Sequence, residues 1–74
     1  MSADNYIGVF QIGDRWGVDM GFASDERDNP FPDYSGPWYL TREAALVAAH
    51  DAYARETVVE YGVIELGVLG SSPN

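Results

Sequence analysis

The stretch RWGVDMGFA, residues 15–23, alternates large apolar side chains with small or charged ones along its whole length. One set of alternate positions is apolar and large: Trp16, Val18, Met20 and Phe22. The intervening positions are Arg15, Gly17, Asp19, Gly21 and Ala23. A period of two is typical of a strand with one buried face. The glycines leave room for a close neighbour on the reverse face, either backbone or a partner.

The segment before it, NYIGVFQI (residues 5–12), is rich in β-branched and aromatic residues and is also predicted as a strand. Gly13 and Asp14 separate the two segments. Two residues with glycine first favour a type II′ turn, whose twist suits paired strands. The sequence therefore predicts an antiparallel hairpin over residues 5–23.

A helix is predicted over the alanine-rich segment REAALVAAHDAYARE, residues 42–56. Thr41 is placed as its N-cap and Glu43 in its first turn, where the helix dipole favours negative charge. Asp51 and Arg55 are spaced for an ion pair along the helix. The predicted core-facing stripe consists of Ala45, Leu46, Ala49, Ala52 and Tyr53.

Two further strands complete the expected fold. PWYL (37–40) predicts a short strand with Trp38 or Tyr39 turned inward, and TVVEYGVIEL (57–66) predicts the last strand. The order β-β-β-α-β indicates a two-layer α+β domain over residues 1–70, with one helix on one face of an antiparallel three- to four-stranded sheet. Residues 71–74 are expected to be a flexible tail. The other sheet face must be polar, covered by the long loop, or buried against another molecule.

The charge of this chain restricts its function more than any other feature of its composition. Twelve carboxylates face four arginines and no lysine among 74 residues, for a formal net charge of −8. Such a surface repels phosphate backbones and disfavours direct nucleic-acid binding. It favours a basic partner, such as a protein that itself holds nucleic acid, although an acidic surface also serves solubility alone. The absence of cysteine, of a basic leader and of a long apolar run predicts a cytoplasmic protein with no membrane contact.

Catalytic and metal-binding patterns are missing from the sequence. The single histidine, His50, falls within the alanine-rich helix, away from any serine that it could activate. The run DERDNPFPD (25–33) lacks the spacing of a calcium loop and contains two prolines. No glycine-rich phosphate loop occurs. We therefore predict neither an enzyme nor a cofactor or metal site.

A binding surface is predicted instead in SDERDNPFPDYSG, residues 24–36, hereafter the acidic loop. Aromatic anchors within a polar rim are common at protein interfaces. The residues expected to make electrostatic contacts are Asp25, Glu26, Asp28 and Asp33, and the expected anchors are Phe31 and Tyr34. The alternative is that these rings, and that of Trp38, fold back onto the small core. Two prolines stiffen the loop, so less entropy is lost on docking.

Three segments resemble a group of small phage-encoded proteins: MSADN (1–5), LTREAALVAAHDAY (40–53) and VVEYGVIEL (58–66). Together they cover 28 of the 74 residues, and the acidic loop is not among them. The group is mostly of unassigned function, so the resemblance implies a phage or prophage origin but no site residue. Small acidic phage proteins often resemble inhibitors of host machinery, of which anti-CRISPR proteins are the best-known class.

These observations lead to two hypotheses. In the first, the protein inhibits a host defence complex, most plausibly a CRISPR-Cas effector, by stoichiometric binding of its carboxylates to a basic, nucleic-acid-binding surface. In the second, it is a small structural or accessory phage domain that forms a homodimer. The second hypothesis would bury the face that carries Gly17, Asp19 and Gly21 against a copy of itself.

Overall fold

The computed structural model describes residues 4–55 and 59–70, which form three strands and one helix. In chain order the elements are β1 (Asn5–Ile12), β2 (Arg15–Phe22), α1 (Arg42–Arg55) and β3 (Val63–Gly70). β1 is the central strand; it pairs antiparallel with β2 and parallel with β3. The helix lies on one face of this mixed sheet. The α+β class is confirmed, with the order β-β-α-β.

The hairpin predicted over β1 and β2 is confirmed. Ile12 pairs with Arg15 across the two-residue turn, and pairing continues without interruption to Asn5 and Phe22. Gly13 has a φ of 63°, whereas Asp14 has no positive φ. This is the backbone that a type II′ turn requires of its first central residue, and glycine adopts it without steric cost.

The helix packs on β1 through its smallest side chains. Ala45 and Ala49 are fully buried against Ile7 and Val9, with Leu46 and Ala52 partly buried beside them, whereas Tyr53 remains 43% exposed. Thr41 caps the helix as predicted, because its Oγ1 accepts the Ala44 N–H at 3.1 Å. The predicted pair of Asp51 and Arg55 is also present, at 2.6 Å.

The parallel pairing of β3 differs from the expected antiparallel sheet. Between Phe22 and Tyr39 the chain returns along the sheet, so that Tyr39 lies beside Trp16, at the turn end of β2. The helix then runs back and places Val63 beside Ile7, near the start of β1. Because the chain crosses the length of the sheet twice between β2 and β3, the last strand points in the same direction as the first.

The prediction of a strand at PWYL (37–40) is wrong. Tyr39 alone forms an isolated bridge with Trp16, with both backbone hydrogen bonds at 2.8 Å. Trp38 and Tyr39 are both half-buried, but Trp38 packs under the acidic loop and Tyr39 packs on the helix side. The proline at position 37 cannot donate to a ladder, which limits pairing in this short segment.

The last strand begins and ends later than expected. Residues 60 and 61 form a bend, and the strand begins at Val63 after Gly62, which has a φ of 72°. Register shifts then occur opposite Val9/Phe10 and Gln11/Ile12. These irregularities let Leu66 and Leu69, three residues apart, pack against the same core cluster, which a regular period of two cannot do. Residues 56–58 and 71–74, including the start of the predicted strand and the predicted tail, lie outside the described residues.

The second face of the sheet is covered by the acidic loop, one of the three possibilities that the sequence left open. Its buried cluster contains Tyr6, Phe10 and Ile12 from β1 together with Phe31 from the loop. Each large ring on β1 pairs across the ladder with a glycine of β2, Tyr6 with Gly21 and Phe10 with Gly17. A single small sheet is thus packed on both sides, by a helix and by a loop. Within residues 4–55 and 59–70, no helix has the length and apolar character needed to cross a membrane.

Candidate partner-binding surface

Phe31 lies in the core and not on the surface of the acidic loop. Its side chain is only 6% exposed, and its ring stacks on Phe10 with centroids 4.7 Å apart and planes at 13°. The Asn29 side chain fixes the approach, because its Oδ1 accepts the Phe31 N–H at 2.8 Å. The placement therefore does not support the expected role of Phe31 as an exposed anchor. An apolar ring gains more by covering the sheet than by remaining in water.

Tyr34 is half-buried, and both its ring and its hydroxyl contact other residues of the chain. Its ring meets Phe10 and Trp38 edge-on, at centroid distances of 5.1 and 4.9 Å. Its hydroxyl accepts the Val18 N–H at 3.2 Å and donates to the Pro37 carbonyl. Burial is the main reason that the pKa of Tyr34 is raised. Its hydroxyl is hydrogen-bonded within the chain. Tyr34 therefore links the acidic loop to β2 and is not a free anchor.

The outer edge of β2 is closed by the chain itself. The Trp16 N–H bonds to Tyr39, the Val18 N–H to the Tyr34 hydroxyl, and the Met20 N–H to Asp19 Oδ1 at 2.8 Å. Unpaired edge donors are what an added strand would use. This edge is therefore a poor site for a partner strand.

The face proposed for self-association is also occupied. A Cβ built at Gly17 would lie 2.6 Å from the Tyr34 ring, and one at Gly21 would lie 2.7 Å from the Tyr6 hydroxyl. Both glycines are buried, whereas Asp19 between them is exposed. The two glycines of this face are thus covered by rings of the same chain, whereas Asp19 is not, and self-association stays a prediction.

Asp25 is committed to an ion pair inside the acidic loop. The Arg27 guanidinium bonds both of its oxygens, with the shortest contact at 2.6 Å, and also donates to the Pro30 carbonyl at 3.2 Å. Side-chain and backbone hydrogen bonds from Arg27 lower the pKa of Asp25 from 3.8 to about 2. Of the four expected electrostatic contacts, this one is neutralised by its neighbour and shapes the loop.

The other three expected acids, Glu26, Asp28 and Asp33, are exposed to solvent. All four arginines of the chain lie within 4.0 Å of a different carboxylate, in the pairs Arg15–Asp14, Arg27–Asp25, Arg42–Glu65 and Arg55–Asp51. Each arginine thus has a carboxylate of the same chain as its ion-pair partner. The excess negative charge falls on the remaining carboxylates, and three of them lie together on the acidic loop.

An open cleft of about 330 Å³ lies between the loop and β2. Its lining includes Asp19, Asp25 and Asp33, with Phe31 and Arg27. Across the described part of the chain, no three His, Asp or Glu side chains are grouped closely enough to hold a metal ion. His50 lies exposed on the helix. What the cleft offers chemically is a negatively charged surface with a fixed backbone.

Sequence reasoning missed a second feature next to this cleft, with which it shares Phe22 and Asp25. Three large apolar side chains are exposed there, Phe22 by 57%, Tyr61 by 50% and Ile64 by 37%. They surround an opening of about 270 Å³, hereafter the apolar groove, whose deeper residues are Tyr6 and Leu66. The alternation in β2 assigned Phe22 to a buried face. Phe22 is the last residue of β2, where neighbouring segments no longer cover the strand. This position was the signal in the sequence that its side chain could be exposed.

Comparisons of the chain with protein-family models, with curated proteins and with solved structures find no match. The resemblance of MSADN and the two other segments to small phage proteins therefore stays a prediction.

Proposed function

We propose that this chain is a binding protein, and not an enzyme, that attaches as a stoichiometric acidic ligand to a basic, nucleic-acid-binding surface of another protein. The observation that supports this most is the pairing of every arginine with a carboxylate. The exposed carboxylates Glu26, Asp28 and Asp33 are not the partners in these pairs, and Arg27, the arginine of the same loop, is bonded to Asp25. A phosphate-binding surface of lysine and arginine is the complementary partner.

The acidic loop is suited to this role because it is held in place before binding. Phe31 anchors its middle in the core, Tyr34 fixes its end to β2, and Arg27 bridges Asp25 and the Pro30 carbonyl. A loop that is already ordered loses less conformational entropy when it docks. The rings expected to contact the partner therefore serve binding indirectly, by presenting the acids.

The partner that we propose is a host defence complex, with a CRISPR-Cas effector as the leading candidate. This extends the phage resemblance of the two chain ends and the helix. The protein would act in the cytoplasm of the host bacterial cell, without nucleic acid, cofactor or membrane of its own. Its carboxylates would occupy the positions that otherwise hold the phosphates of guide or target strands.

Capture of the partner from host lysate, followed by mass spectrometry, tests this proposal. The native protein is compared with Glu26→Lys/Asp28→Lys and with the matched control Glu43→Lys/Val47→Lys/His50→Lys, which changes the formal net charge by the same amount at exposed sites of the helix. We expect the native protein and the control to recover a basic, nucleic-acid-binding complex, and the loop variant to recover little of it.

Two results would contradict the proposal. One is recovery of the same complex by the loop variant at the native level. The other is binding that does not weaken as salt is raised, because contacts between exposed charges are screened over a distance of about 8–10 Å at physiological ionic strength.

A further inference from the structure

The apolar groove carries an inference that extends the proposed function and rests on it. Phe22, Tyr61 and Ile64 are exposed apolar side chains that line one opening, and the more buried Tyr6 and Leu66 line it as well. We infer that the groove binds a segment of the basic partner in which an apolar side chain is flanked by lysine or arginine. The groove takes the place of Phe31 and Tyr34 as the source of apolar contact.

Carboxylates surround this opening. The charges of Glu60 and Asp4 are the main causes that raise the pKa of Tyr61, which places both near its phenol. Asp25 also lies in the wall, but it is paired with Arg27, so Glu60 and Asp4 supply the negative charge of the rim. Apolar contact at the centre with charge at the rim is the arrangement found at protein interfaces. The sign of the rim selects a cationic segment, and the exposed Phe22 and Tyr61 rings can receive a cation on their faces.

The walls of the groove are tied to the sheet. On one side, the Asp4 carbonyl accepts the Ala23 N–H at 2.8 Å and its carboxylate accepts the Ser24 N–H at 3.1 Å. On the other side, Asn5 accepts the Glu60 N–H through Oδ1 at 3.1 Å and the Tyr61 N–H through its carbonyl at 3.0 Å. The groove is therefore preformed, so that docking needs little rearrangement of its backbone.

A second copy of the chain is a poor occupant. Self-association through the groove would bring Asp4 and Glu60 of one copy towards the same residues of the other. Like charges at close range oppose association. Sedimentation should accordingly give a monomer. A dimer that Tyr61→Ser dissociates would overturn the inference in favour of self-association.

Binding is tested with a short peptide that alternates arginine with leucine, followed by amide chemical shifts of the full-length protein. Two matched peptides serve as controls, one with glycine for each leucine and one with glutamate for each arginine. We expect saturable shifts around Phe22, Tyr61 and Ile64 with the arginine–leucine peptide, and binding about tenfold weaker or absent with both controls. Equal shifts from the arginine–glycine peptide, shifts elsewhere, or none at millimolar peptide would overturn the inference.

Two protein variants separate this inference from the proposed function. Tyr61→Ser/Ile64→Ser should lose the peptide, whereas Val47→Ser, which changes a 71% exposed apolar residue on the helix, should bind it normally. The loop variant Glu26→Lys/Asp28→Lys should keep the peptide but lose the captured partner. Peptide binding that survives the groove substitutions overturns the groove alone; partner binding that survives the loop substitutions overturns the proposed function.

Discussion

The rings and glycines under the acidic loop form pairs of large and small residues. Tyr6 faces Gly21 and Phe10 faces Gly17 across the β1–β2 ladder, and Phe31 lies above Gly8 and Gly21. A strand glycine has no side chain of its own to pack, but here neighbouring rings occupy the space that a side chain would take. The loop face can therefore hold five aromatic side chains in a domain of only 74 residues.

Gly17→Ala should destabilise the protein by about 1–3 kcal/mol, the usual cost of overpacking. The added Cβ would lie 2.6 Å from Tyr34 and 2.7 Å from Phe10, and neither ring is free to withdraw. Urea unfolding measures the change. Gly70→Ala is the control, because its Cβ would meet Ile12 at an ordinary 3.7 Å. Equal stability of the two variants would contradict the close packing of the rings.

Asp25 should titrate with a pKa of about 2, which Arg27→Gln should raise towards 3.8. The folded value lies below the unfolded one, so the stabilisation from this pair is complete above about pH 4 and is lost as the pH falls towards about 2. Carboxyl carbon chemical shifts follow the titration directly. Arg42→Gln is the control, since Arg42 pairs with Glu65 instead. An unchanged Asp25 titration in Arg27→Gln would refute the pairing.

At the scale of elements, the acidic loop acts as the second packing layer of the sheet. The helix covers Ile7 and Val9 on one face, and the loop covers Tyr6, Phe10 and Ile12 on the other. Such a layer has no regular backbone ladder of its own. It is held by Phe31 in the core and by the hydrogen bonds of Asn29, Tyr34 and Arg27. The proposed binding surface and the core layer are thus two sides of one segment.

Phe31→Ala should lower the free energy of unfolding by about 3–5 kcal/mol, the range for removing a buried aromatic side chain. Phe22→Ala is a matched control, because Phe22 is 57% exposed and its loss should cost about 0.5 kcal/mol. Denaturant unfolding of the two variants gives the comparison. If the loop were a solvated connection, the two substitutions would have similar small effects.

The elements that the sequence predicts well are those specified by local signals. The β1–β2 hairpin follows from alternation and a glycine turn, and the helix follows from alanine content and the Thr41 cap. The parallel pairing of β3 depends on the path of the loop, which no local pattern encodes. Phe31 in a charged loop has no periodicity to show whether its ring faces the core or water. The groove was missed because its residues come from the ends of separate strands.

At the scale of the whole molecule, every arginine is paired with a carboxylate, and most of the other carboxylates in residues 4–55 and 59–70 are exposed. The net charge of −8 arises from twelve acids, four of which are matched by arginines in the pairs described above. Such a distribution would steer the protein towards the basic surface that we propose as its partner and would speed their encounter. The acidic loop carries exposed carboxylates and also covers one face of the sheet. A small chain can therefore present charge without a large core.

Competition between the protein and the partner's own nucleic acid tests the central claim most directly. The captured complex is immobilised through the partner, and the partner's guide or target strand is added in increasing amounts. We predict mutually exclusive binding: nucleic acid releases the protein, and excess protein releases the nucleic acid, because both contact the same basic surface. A stable ternary complex that retains the protein and the nucleic acid together would contradict the claim.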